Sequence, residues 1–93
     1  MLFRSVQMSV AQSISGKITD KENGKKLEGV SVRIANSNKG VTTNETGNYL
    51  LSNITEGKLH LLISYTGYGN IDTIINIMGK VNQNFDFSMA AEE

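Results

Sequence analysis

Leu59-His60-Leu61-Leu62-Ile63-Ser64-Tyr65-Thr66-Gly67-Tyr68 decides the fold. Leu59, Leu61, Ile63 and Tyr65 recur at every second residue, which puts them on one face of an extended strand. Leu62 falls out of phase, so the opposite face is also partly apolar. A strand covered on both faces belongs near the middle of a packed domain. At ~3.3 Å per residue, a strand of about eight residues spans ~26 Å, the height of a small β-sandwich. The stretch closes on Thr66-Gly67-Tyr68-Gly69, where glycine permits a sharp turn.

The segments on either side read as partners for this strand. Ile14, Gly16 and Ile18 alternate with Ser15, Lys17 and Thr19. Asp20 to Lys26 is a polar turn around Asn23-Gly24, a pair suited to a type I′ hairpin or to a turn within a longer loop. Val30, Val32 and Ile34 alternate with Ser31, Arg33 and Ala35. After a turn at Asn36 to Gly40, Val41 to Asn44 forms a short strand. Glu45 to Asn48 turns again, and Tyr49 and Leu51 alternate with Leu50 and Ser52. A loop over Asn53 to Lys58 leads into the deciding stretch. Beyond it, Ile71 to Ile77 is a strand with Ile74 on its opposite face, and Val81 to Met89 is the last, with Val81, Phe85, Phe87 and Met89 in phase. Seven strands, one about every 8–12 residues and with no helical period between them, predict an all-β, seven-stranded antiparallel β-sandwich.

The sandwich is expected over residues 14–89. Residues 1–13 read as a disordered leader or signal-peptide remnant: small Ser9 and Ala11 precede Gln12 as at a cleavage site, but Arg4 and Gln7 interrupt the apolar run. Residues 90–93 read as a frayed exit. Ninety-three residues make one domain, with no room for both a core and a deep cleft. The formal net charge of zero argues against a nucleic-acid partner. The absence of cysteine excludes disulfides and thiolate metal sites. No apolar run reaches the ~20 residues of a transmembrane segment.

No chemistry assembles. His60 is the one histidine, out of phase with the core face of its strand, and a zinc site needs more. No serine sits in a Gly-x-Ser-x-Gly elbow. Asp20, Glu22 and Asn23 share a turn but lack the downstream bidentate glutamate of a calcium loop. Asn44-Glu45-Thr46 and Asn53-Ile54-Thr55 match the glycosylation acceptor pattern, in turns where Asn and Thr are common anyway. A Lys17–Asn84 cross-link would need an adjacent buried acid, and none can be named. No enzyme, cofactor or metal is expected.

An ordered set of residues nevertheless resembles a known family. It begins with Ile14-Ser15-Gly16-Lys17-Ile18-Thr19-Asp20 and continues with Leu27, Gly29, Val30, Val32 and Ile34. Gly40, Thr42, Thr43, Gly47, Tyr49 and Leu51 follow, then Gly57, Leu61, Ser64, Tyr65, Gly67 and Tyr68. This is similar to the carboxypeptidase-regulatory-like domain, a prealbumin-type, Ig-like sandwich, in the version found at the N-terminus of TonB-dependent outer-membrane transporters of Bacteroidetes. The family often has prolines near the positions of Gly29 and Gly57, and this chain has none. The zinc-binding motif of the carboxypeptidases themselves is absent, so the resemblance carries over no catalytic residue.

Gly16, Gly29, Gly40, Gly47, Tyr49, Gly57, Tyr65 and Gly67 are expected as fold determinants. Gly40, Gly47 and Gly57 lie where the chain reverses, where a Cβ at positive φ would cost ~1–2 kcal/mol. Tyr68, Lys39 and Lys25 are the candidate partner contacts. The resemblance implies a non-catalytic docking or spacer domain of a nutrient importer, in the periplasm, with a protein partner. The alternatives are a carbohydrate- or peptide-binding module using Tyr49, Tyr65 and Tyr68, and the appendage of a zinc metallocarboxypeptidase.

Overall fold

A computed structural model describes residues 12–79 and 82–92. Eight strands follow in order: β1 (Gln12–Asp20), β2 (Ser31–Ile34), β3 (Gly40–Thr42), β4 (Asn48–Ile54), β5 (Gly57–Ser64), β6 (Ile71–Ile77), β7 (Asn82–Asn84) and β8 (Phe87–Met89). They form two sheets. One has the order β3-β2-β5-β6; in the other, β1 lies between β4 on one side and β7 and β8 on the other.

The deciding stretch is β5, an interior strand held antiparallel by both neighbours, with Leu61 opposite Ile34 on β2 and Thr73 on β6. Leu59, Leu61 and Ile63 point into the core, as their spacing requires. β1 plays the same part in the other sheet. Its Ile14, Gly16 and Ile18 are buried, alternating with half-buried Ser15, Lys17 and Thr19. Ile14, Ile18 and Leu51 from this sheet meet Val32, Leu61 and Ile63 from the other, and Met89 seals the core at no exposure.

The expected last strand is interrupted. β7 and β8 keep one register against β1, with Ser13 opposite Asn82 and Ile18 opposite Phe87, so the chain pauses between them without slipping. In the gap the Asp86 carboxylate accepts the Lys17 N–H at 2.8 Å, replacing a main-chain carbonyl of the ladder. Both strands run parallel to β1, so this sheet is mixed where an all-antiparallel one was expected. Alternation of side chains sets the face of a strand and says nothing of its direction.

The ends also differ from expectation. β1 begins at Gln12, two residues before the expected boundary. The remaining leader features and Val81 lie outside the described residues. The exit is tied down rather than frayed: Gly69 N–H donates to Ala90 O at 2.9 Å, Glu92 N–H donates to Gly67 O at 2.8 Å, and Ala91 bridges Tyr68. No helix of the described residues is long and apolar enough to cross a membrane.

Candidate functional site

Gly16, Gly47 and Tyr49 are buried within the sandwich. Gly16 is required by space: a Cβ there would lie 1.8 Å from Phe85 O. That close approach lets Phe85 N–H reach Ser15 O at 2.8 Å. Tyr49 lies beside it, with its ring buried and its hydroxyl donating to Phe85 O at 2.6 Å. Burial, and then the nearby charge of Asp86, pushes the Tyr49 phenol well above its ordinary range. Gly47 is required by both space and conformation. Its φ is 77°, and an added Cβ would lie 2.8 Å from Ile18 O. Asn44 builds that turn, its Oδ1 accepting the N–H groups of Thr46 and Asn48.

Gly29, Gly57 and Gly67 also have positive φ. Gly40 does not, contrary to expectation, because the left-handed residue of its turn is Asn36, at φ 61°. Gly40 pairs with Arg33 in β3, where a Cβ would crowd Arg33 Cγ at 2.9 Å.

Two of the three candidate partner contacts, Tyr68 and Lys39, are engaged within the domain. Tyr68 is half-buried, its ring 5.5 Å from that of the partly buried Tyr65. Its hydroxyl donates to Asp20 Oδ2 at 2.6 Å, while Asp20 Oδ1 accepts the N–H groups of Glu22 and Asn23. The Tyr68 hydrogen bond, then the Glu22 N–H, holds the Asp20 carboxyl below its ordinary value, and the same bond raises the Tyr68 phenol. Asp20, in the turn that lacks the glutamate of a calcium loop, is thus part of an internal clasp. Among the described residues no group of His, Asp and Glu is placed to hold a metal ion. Lys39 Nζ donates to Asn53 O at 2.5 Å. Lys25 is exposed, on the Asp20 turn.

The structure brings Lys17, Asn84 and Asp86 around one shallow polar groove with Ser15, Asn48 and Tyr49. Asn84 and Asp86 are exposed. A lysine–asparagine cross-link requires a buried acid, and Asp86 is not one. A second shallow depression is lined by Gly29, Ser31, Ser64, Tyr65, Thr66 and Asn70.

The feature that alternation alone could not expose is the edge at β6. Exposed sheet edges invite strand addition, and proteins blunt them with short strands, kinks, lysine or proline. β3, β7 and β8 are three residues each. β4 is kinked by Asn53 at φ 58°, and Lys39 takes that residue's carbonyl. β6 has seven residues, Ile71-Asp72-Thr73-Ile74-Ile75-Asn76-Ile77, and among the described residues it pairs with β5 alone. Its one charge, Asp72, has a side chain 67% exposed and contacts His60 Nε2 across the pair. Ile74 stands 63% exposed and Met78, just past the strand, 58%.

Two packed sheets, a core shared between them and a surface of shallow polar depressions define an Ig-like β-sandwich module. The chain belongs to the CarboxypepD_reg-like domain family, whose profile matches residues 14–93. No protein of curated function matches it. Solved structures match in fold. A 3-chlorocatechol 1,2-dioxygenase from Rhodococcus opacus has a TM-score of 0.71 at 13% identity, over 99% of this chain and 64% of that one. A type II cohesin–X-dockerin complex from Acetivibrio cellulolyticus has a TM-score of 0.69 at 16% identity, over 86% of this chain and 58% of that one. The Bacillus anthracis TIE protein has a TM-score of 0.71 at 18% identity, over 88% of this chain and 17% of that one. The chain thus spans less than two thirds of each of these solved chains, and at such identities the likeness is one of fold.

Proposed function

We propose that this module is a non-catalytic docking or spacer domain of a TonB-dependent outer-membrane nutrient transporter, lying in the periplasm and meeting a protein partner along β6. The observation that carries the docking role is the edge left unpaired among the described residues: seven residues without lysine or proline, with an exposed isoleucine at their centre. Main-chain hydrogen bonds along such an edge supply affinity, and alternate side chains supply selectivity. The transporter setting rests on family membership and on the glycine and tyrosine pattern. The cohesin–X-dockerin neighbour is a protein–protein complex, which agrees with a binding role for this type of sandwich.

A photo-crosslinking residue at Ile74 in the full transporter tests the proposal. Crosslinks to the transporter body or to one periplasmic protein are expected. They should vanish in a domain whose edge is blocked by Asn76→Lys, with far-UV circular dichroism unchanged. Unimpaired import after deletion of the domain, with no crosslink, overturns the reading.

A second reading is a carbohydrate- or peptide-binding module, favoured by Tyr65 at the depression between Gly29 and Asn70. Titration with oligosaccharides would shift the amides of Ser64 to Asn70 if it holds. The third, an appendage of a zinc metallocarboxypeptidase, predicts a peptidase domain encoded on the N-terminal side of this module in the same gene.

A further inference from the structure

We infer that the domain is a force-bearing link, built so that tension between its two ends is carried in shear by the ladder joining β1 to β7 and β8. The argument is topological. The chain enters the sandwich through β1 and leaves it after β8, and these strands are parallel neighbours. Tension applied through the ends therefore draws β1 toward its N-terminal end and β8 toward its C-terminal end. The strands are asked to slide past one another along their length. In that geometry the hydrogen bonds between them are strained together. Strands drawn apart from one end lose their bonds one at a time.

The ladder is continuous over the length of β1. It starts at Ser13 opposite Asn82 and ends with Lys21 N–H donating to Met89 O at 2.8 Å. Across the pause between β7 and β8 it is maintained by Phe85 N–H to Ser15 O and by Lys17 N–H to the Asp86 carboxylate, both at 2.8 Å. Gly16 admits the close approach, and Tyr49 fastens Phe85 O from the far side. Beneath the ladder Ile14, Ile18 and Met89 have no exposure, so water reaches those bonds from the outer face alone. The ties of residues 90–92 to the loop at Gly67 lie beyond the ladder and yield first.

The inference adds a mechanical role to the spacer reading and does not depend on the transporter. A failed docking experiment would leave the force measurement unchanged, and the reverse also holds. Single-molecule stretching of the 93-residue chain tests it. The chain has no cysteine, so introduced ones give unique handles. One geometry attaches cysteines appended at both ends. The other attaches the C-terminal cysteine and Glu22→Cys, which sits at the end of β1 beside the exit of β8 and so peels the same ladder. Forced unfolding is governed by the unfolding barrier, and the end-to-end geometry should need at least ~2-fold more force than the peeling one at equal loading rate. Asp86→Ala should lower the end-to-end force and leave the peeling force unchanged. Equal forces in the two geometries overturn the inference, as does a variant that lowers both alike or neither.

Discussion

Thr43 shows how much one side chain can decide. It is buried, at 4% exposure, in the short connection between β3 and the Asn44 turn. Its Oγ1 accepts the Val30 N–H at 2.9 Å and donates to Leu27 O at 2.6 Å. Its main chain bonds Val30 O and the Gly29 N–H. One threonine thus pins the segment that carries Leu27 and Val30 into the core. Thr43→Val keeps the shape but leaves the Val30 N–H and the Leu27 carbonyl without that partner, a loss of about 1–3 kcal/mol. Urea denaturation read by circular dichroism measures it. Thr43 belongs to the pattern that marked the family, but nothing in its neighbours announces a buried hydroxyl. Its partners lie 13 and 16 residues upstream, on a segment without regular structure.

At the scale of elements, the clasp between Asp20 and Tyr68 joins the end of β1 to the connection between β5 and β6, and so ties one sheet to the other. Its pH dependence has two limbs. The Asp20 carboxyl lies below its ordinary 3.8 in the folded protein, so its contribution is present above that value and is lost as pH falls through the lowered one. The Tyr68 phenol lies above its ordinary 10.0, so its contribution is present below that value and is lost as pH rises through the raised one. Tyr68→Phe should therefore be less stable than the parent protein at neutral pH. The two stability curves should converge as pH falls below the carboxylate range, which denaturant titrations across pH will show. Parallel curves with a constant offset would assign the effect to packing of the ring.

For the molecule as a whole, stability resides in the apolar contact between the two sheets. Leu61 is fully buried in the middle of β5, an inner strand of its sheet, and its truncation to alanine should lower stability by about 2–5 kcal/mol. Ile74→Ala, one strand over but 63% exposed, should change stability by no more than about 0.5 kcal/mol. Urea midpoints of the two variants will make the comparison, with unchanged slopes if unfolding remains all-or-none. Ile74 thus matters for what the surface meets, and Leu61 for whether a surface exists.

The sequence by itself determined the fold class, the deciding strand, most of the core and the family, because a strand records its buried face in every second residue. Leu59, Leu61 and Ile63 could be placed from spacing alone, as could Ile14 and Ile18. Only the tertiary structure decided the direction of β7 and β8, the closure of the Asp20–Tyr68 clasp and the place of β6 at the rim of its sheet among the described residues. Each depends on which segments become neighbours. Ile71 to Ile77 reads the same at the rim of a sheet as within it, and Asp20 meets Tyr68 from 48 positions away along the chain. Periodicity reports the environment of a strand's two faces; hydrogen bonding at its two edges is settled when the sheets assemble.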